Sequence, residues 1–160
     1  MNDATAIEAS AEGGHDTLTE IYAERVRTLR TRSCSLEVPE RENEPQILHT
    51  LLGIELKVGR RRFACPDLAT ARYMQVFVRL GCQQFAIPYD ITKISVLADE
   101  LETAWQMMLL AHEAEVRAKS AIAKKRARTR LVNSVREKIK SIGPGDLMPL
   151  FKQSTKQRTN

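Results

Sequence analysis

The chain has 160 residues, 42% of them hydrophobic and 28% charged, with a formal net charge of +5. That length supports one domain with its own core, since a chain of this size buries about 70% of its unfolded surface. No apolar run approaches the ~18 residues that span a bilayer, and Met1 to His15 lack the basic and apolar regions of a signal peptide. Cys34, Cys65 and Cys82 are odd in number and form no CxxC pair, which argues against a disulfide framework or a cysteine zinc site. The expected setting is a reducing cytoplasm, or the nucleus in a eukaryote.

Charge is unevenly distributed. Residues 1–46 carry 5 basic and 10 acidic side chains, residues 47–116 carry 7 and 8, and residues 117–160 carry 13 and 2. One third is polycationic, which points to an anionic partner or to an acidic surface within the chain itself.

Residues 1–15 are poor in bulky apolar side chains and read as disordered. A globular domain is expected over 16–115. A capping-box pattern, Thr17 to Glu20, opens a helix whose face carries Leu18, Tyr22, Val26 and Leu29. Ser33 to Pro45, with two prolines and four glutamates, reads as a linker. Ile54, Leu56 and Val58 then alternate with Glu55 and Lys57, the period of a half-buried strand. Gly59-Arg60 turns it into a second strand, Arg61 to Cys65. Asp67 is placed as the N-cap of a helix lined by Ala69, Tyr73, Val76, Phe77 and Leu80, with Gly81 as its stop. Phe85 and Ile87 suggest a third strand. Tyr73, Phe77, Phe85 and Trp105 all fall on inferred core faces.

From Ile91 to Ile142 there is neither Gly nor Pro, so a single helix of about 78 Å is permitted. Ile94, Leu97, Leu101, Trp105 and Met108 form one stripe, and Leu131, Val135, Ile139 and Ile142 form a second, rotated by roughly 140°. Either one long helix meets two partners, or a break near 112–120 folds the second part back. The i,i+4 pairs Glu113–Arg117 and Glu115–Lys119 favour continuity. Residues 116–142 are then a basic helical extension and 143–160 a flexible basic tail. The fold class is α+β: a small sheet made of a hairpin plus one strand, packed by helices, with a long basic C-terminal helix.

Within that extension, Arg117, Lys119, Lys124, Lys125, Arg126, Arg128 and Arg130 can neutralise phosphates and release counterions. Arg136, Lys138 and Lys140 lengthen the array, and Arg60, Arg61 and Arg62 at the hairpin turn offer a second contact. The expected function is a non-enzymatic accessory protein that binds DNA or RNA. The alternative is an assembly factor that docks on an acidic or apolar protein partner through Leu131, Val135, Ile139, Ile142, Leu147, Leu150 and Phe151. A homo-oligomer is compatible with either.

Glu55 and Lys57 share one strand face, and this E-x-K pair resembles part of the metal-binding motif of the restriction-type nuclease fold, which includes the Holliday-junction resolvases. The resemblance covers about 40 residues of strand, helix and strand. It implies a Mg²⁺-dependent nuclease in which the carboxylate ligates the metal and the lysine assists the attacking water. The family's upstream Asp has no counterpart, since only Glu40, Glu42 and Glu44 in the linker precede the pair. His15, His49 and His112 lie in unrelated segments, and no Gly-rich phosphate loop or G-x-S-x-G turn occurs. No metal or cofactor is expected outside the nuclease reading.

Overall fold

The computed structural model describes residues 17–144. The expected disorder of 1–15, nearly all of the 143–160 tail, and Leu147, Leu150 and Phe151 lie outside the described residues. The elements are a short helix α1, π-wound over Ile21–Val26, then β1 (Thr31–Ser35), β2 (Gln46–Thr50), β3 (Gly53–Val58), β4 (Arg61–Cys65), α2 (Leu68–Leu80), β5 (Gln84–Pro88), α3 (Ile91–Glu115) and α4 (Ala121–Ile142). The α+β class holds.

The strands form two antiparallel sheets, β2-β3-β4 and β1-β5. The β3–β4 hairpin closes through Gly59-Arg60 as the alternation predicts, with Gly59 at φ +61° and Leu56 opposite Phe63. Two features differ from the sequence reading. The hairpin is widened by β2, and the Phe85–Ile87 strand pairs with β1, Cys34 lying opposite Phe85.

Helix α2 is the centre of the molecule. The Asp67 carboxylate accepts from the Thr70 N–H at 2.7 Å and caps its start. Gly81, left-handed at φ +82°, closes its end. Between those caps Tyr73 to Val78 are all buried, because the sheet covers one face and α3 and α4 the others. Phe77 stacks on Phe85 with ring centroids 4.5 Å apart, and Tyr22 meets Phe77 edge-on at 5.5 Å. The Tyr22 hydroxyl accepts from the Ala86 N–H at 2.9 Å and donates to the Gly143 carbonyl, so it ties the first helix, β5 and the end of α4 together.

The single long helix is not formed. The chain turns over 116–120, where Val116 is buried and the Ser120 hydroxyl caps α4 by accepting from the Ala123 N–H. Neither Glu113–Arg117 nor Glu115–Lys119 forms an ion pair. The out-of-phase stripes decide the matter: α4 must reverse direction for its apolar face to reach the core that α3 already touches. Leu131, Val132, Val135 and Ile139 are buried there, and Ile142 packs at its margin. Residues 121–142 therefore share the core of the domain and are not a free extension.

The Ser33–Pro45 linker is also corrected. Its start is β1, and residues 36–45 lie as a strap across the C-terminal end of α2. The Leu36 N–H donates to the Gln83 carbonyl, and Val38 is buried. The Asn43 amide donates to the carbonyls of Pro39, Arg41 and Val78, each at 3.0 Å. Polar composition suggested solvent, but these groups are spent on the backbone of the strap itself and of α2.

Candidate nucleic-acid interface

The capped α2 and the buried stripe of α4 hold the α3–α4 elbow in a fixed place. Arg117, Lys119, Lys124, Lys125, Arg126, Arg128 and Arg130 are all exposed on it, with no acidic residue between positions 117 and 130. Arg128 is engaged: its guanidinium donates through Nε and Nη2 to both Glu42 carboxylate oxygens. The other six make no ion pair with any described residue. On a helical wheel Arg126 points directly away from the core.

Inside the elbow is an open cleft of about 550 Å³ lined by His112, Glu115, Val116, Lys119, Ala127, Arg130, Leu131 and Ser134. The His112 Nε2 is buried without a hydrogen-bond partner among the described residues. Burial holds the His112 pKa below its usual 6.5; Glu115 acts against this, while Arg128, Lys119 and Arg130 add to it. Leu110 and Ile122 are exposed beside the cations.

The rest of the expected basic array has another destination. Arg136 is buried, its Nη1 donating to the Leu80 carbonyl at 3.0 Å and its Nη2 to the Asn133 amide oxygen. Lys140 lies 3.5 Å from Glu40, and Lys138 is half-buried. The strap therefore takes Lys140, while Arg136 is held by the end of α2 and by its own helix. Glu40, Glu42 and Glu44 alternate along the strap, and Arg41, Glu42, Glu44, Lys125 and Arg128 line one mixed-charge cleft. That i, i+2 spacing of acids, which places them on one side of an extended segment, was the sequence signal that could have identified the strap.

At the hairpin turn Arg60 is exposed, Arg61 pairs with Glu37 at 2.9 Å, and Arg62 reaches Glu55 at 3.3 Å. The partner-docking stripe is likewise committed: Leu131, Val135 and Ile139 are inside the chain's own core, so another protein could take that face only by unpacking α4.

Glu55 and Lys57 do lie on one face of β3, but the Glu55 ion pair is made across the hairpin with Arg62. In register, Glu55 is flanked by Leu48 and Ala64, and Lys57 by Gln46 and Arg62. Among the described residues, no second carboxylate of the kind a Mg²⁺ site needs stands beside Glu55 on that sheet face. Among the described residues no group of three or more His, Cys, Asp or Glu is arranged to hold a metal.

The three cysteines are free, with Cys65 and Cys82 buried. Burial pushes the Cys34 thiol up to about 11 and the Cys82 thiol up to about 12. Cys65 is raised by the same cause. None is a ready nucleophile. No helix among the described residues is long and apolar enough to cross a membrane.

Compared with known proteins, the chain matches no family model, no curated protein and no solved structure at a significant level.

Proposed function

We propose that this chain is a non-enzymatic accessory protein that binds DNA or RNA by its phosphate backbone, using the α3–α4 elbow, in a reducing cytoplasmic or nuclear setting. One observation carries the reading: Arg117, Lys119, Lys124, Lys125, Arg126 and Arg130 are all exposed along the α3–α4 elbow and none forms an ion pair with a described residue. The carboxylates nearest them are Glu115, which shares a cleft with Lys119 and Arg130, and Glu42 and Glu44, which share one with Lys125. Each such cation that meets a phosphate releases condensed counterions, and that entropy supplies affinity without reading sequence. The elbow geometry adds pre-organisation, because α4 is anchored along its apolar face and the cations need no ordering of the backbone on binding. Arg136, Lys138 and Lys140 are not part of this surface, and Arg60 is a separate contact.

An acidic protein would meet the same cations. Recovery of partners from lysate with and without nuclease treatment separates the two. Partners lost on treatment support nucleic-acid binding, and partners retained support docking on a protein.

A further inference from the structure

We infer that the recess between the end of α2 and the last turns of α4 binds a small oxyanion, a phosphate or a compact carboxylate, through Arg136 and Lys140. The inference does not rest on the phosphate-binding reading, because the elbow cations lie towards the other end of α4.

The recess has a volume of about 200 Å³. It is lined by residues 81–84, by Arg136 and Lys140, one turn apart on α4, by Glu40 of the strap and by Pro144. At about 30 Å³ per water, that is room for about six waters, less than the ~300 Å³ at which drug-sized pockets begin. The ligand is therefore small.

Arg136 gives the recess its chemistry. The residue is only 7% exposed, and no carboxylate pairs with it among the described residues. Its Nη1 donates to the Leu80 carbonyl and its Nη2 to the Asn133 amide oxygen, while its Nε is buried without a partner among the described residues. Both acceptors are neutral. The carbonyl end of α2 counts for roughly half a negative charge, so a full guanidinium charge is left under-compensated. Buried ions are paired because removing them from water is costly. An oxyanion supplies the missing charge, and the planar guanidinium fork matches its geometry.

Lys140 supplies the second cation. Its side chain is 62% exposed and its contact with Glu40, at 3.5 Å, is loose, so the ammonium is free to turn to a ligand. The Gln83 and Gln84 amides already donate to the Val38 carbonyl and the Ser35 hydroxyl, which leaves the two cations as the strongest side-chain donors of the lining. The field of Arg136 reaches that lining. Burial raises the Cys82 thiol pKa, and Arg136 is the charge that most opposes the rise, with Glu40 and Glu137 adding to it and Lys140 opposing.

Backbone amide NMR of the full chain, titrated at matched ionic strength with inorganic phosphate, malonate or chloride, tests this. Phosphate or malonate should shift the amides of Gly81, Cys82 and Gln83 saturably, with a Kd of about 1 mM or tighter, and chloride should not. The tighter of the two names the oxyanion. Glu40→Gln removes the competitor for Lys140 and should tighten binding about threefold, while Lys140→Gln should weaken it about threefold. Both side chains are partly exposed, so both variants keep the fold. Arg136→Lys keeps the charge but loses the fork and should weaken binding further. Replacing Lys124, Lys125 and Arg126 by Gln should leave the shifts at Gly81 to Gln83 as they are. Absent or unsaturable shifts overturn the inference, as do shifts confined to residues 117–130 or an affinity indifferent to Glu40→Gln and Lys140→Gln. Binding that appears only in Asp146→Asn also overturns it, because the chain's own carboxylate is then the partner of Arg136.

Discussion

Arg128 of α4 holds Glu42 of the strap in a two-point grip, with its Nε 2.9 Å from one carboxylate oxygen and its Nη2 on the other, across a sequence separation of 86. The pair marks the border between two uses of one basic helix. Towards the C-terminus the cations are absorbed by the strap and the core; towards the elbow they face outward. Charge-assisted, two-point pairing fixes the position of a guanidinium better than a single contact does.

Glu42→Gln releases Arg128 and removes an anion from the edge of the phosphate-binding surface. Both partners are partly solvated, so stability should fall by no more than about 1 kcal/mol. Nucleic-acid affinity should rise, and the slope of log K against log salt should steepen by about 0.9, one further phosphate contact. Weaker binding by the variant would mean that Glu42 positions the surface instead of masking it.

Gly81 is the point where the strap crosses the end of α2. A Cβ there would fall 2.8 Å from the Arg41 carbonyl carbon, and closer still to other backbone atoms of Arg41. The left-handed φ of +82° adds strain for any side chain. Gly81→Ala should cost at least about 2 kcal/mol by chemical denaturation. A loss within about 0.5 kcal/mol would show that the strap is not pinned there.

His112 couples the elbow to pH. Its folded-state pKa lies below 6.5 because burial disfavours the imidazolium. The folded protein therefore binds fewer protons than the unfolded chain in the window just below 6.5. The His112 contribution to stability is complete above that value and is lost as pH falls from it through the lowered pKa. Glu115 opposes this shift, while Arg128, Lys119 and Arg130 reinforce it. Thermal melts should show the parent chain losing more stability than His112→Asn as pH drops from about 7.5 to about 5. Parallel curves for the two proteins would remove His112 from the account.

Much of this architecture is written locally. Asp67 and Gly81 bracket α2 because a cap and a left-handed stop act on their own turns, and the Ile54–Val58 alternation needs only a neighbouring strand. The elements that escaped the sequence reading depend on distant partners. Thr31–Ser35 has little apolar alternation and is a strand because β5 lies beside it. The turn at 116–120 has no Gly or Pro, and only the need of Leu131, Val135 and Ile139 to reach the shared core dictates it. At the candidate site, the identity of the cations was legible. Their division between strap, core and solvent was not, since Arg136 and Lys140 differ from Arg126 and Arg130 in what faces them, not in residue type.

The most direct test is titration of DNA and RNA at about 0.15 M salt, with the parent chain and with Lys124, Lys125, Arg126, Arg128 and Arg130 all replaced by Gln. With about five phosphates met on a duplex, the parent should bind with a salt slope near −4.5 and little sequence preference. The variant should bind much more weakly with a flatter slope. All five changed residues are exposed, so its melting temperature should fall only slightly, the main loss being the Arg128–Glu42 pair. No detectable binding of either nucleic acid by the parent at tens of micromolar would contradict the account, and so would a variant that binds as well as the parent.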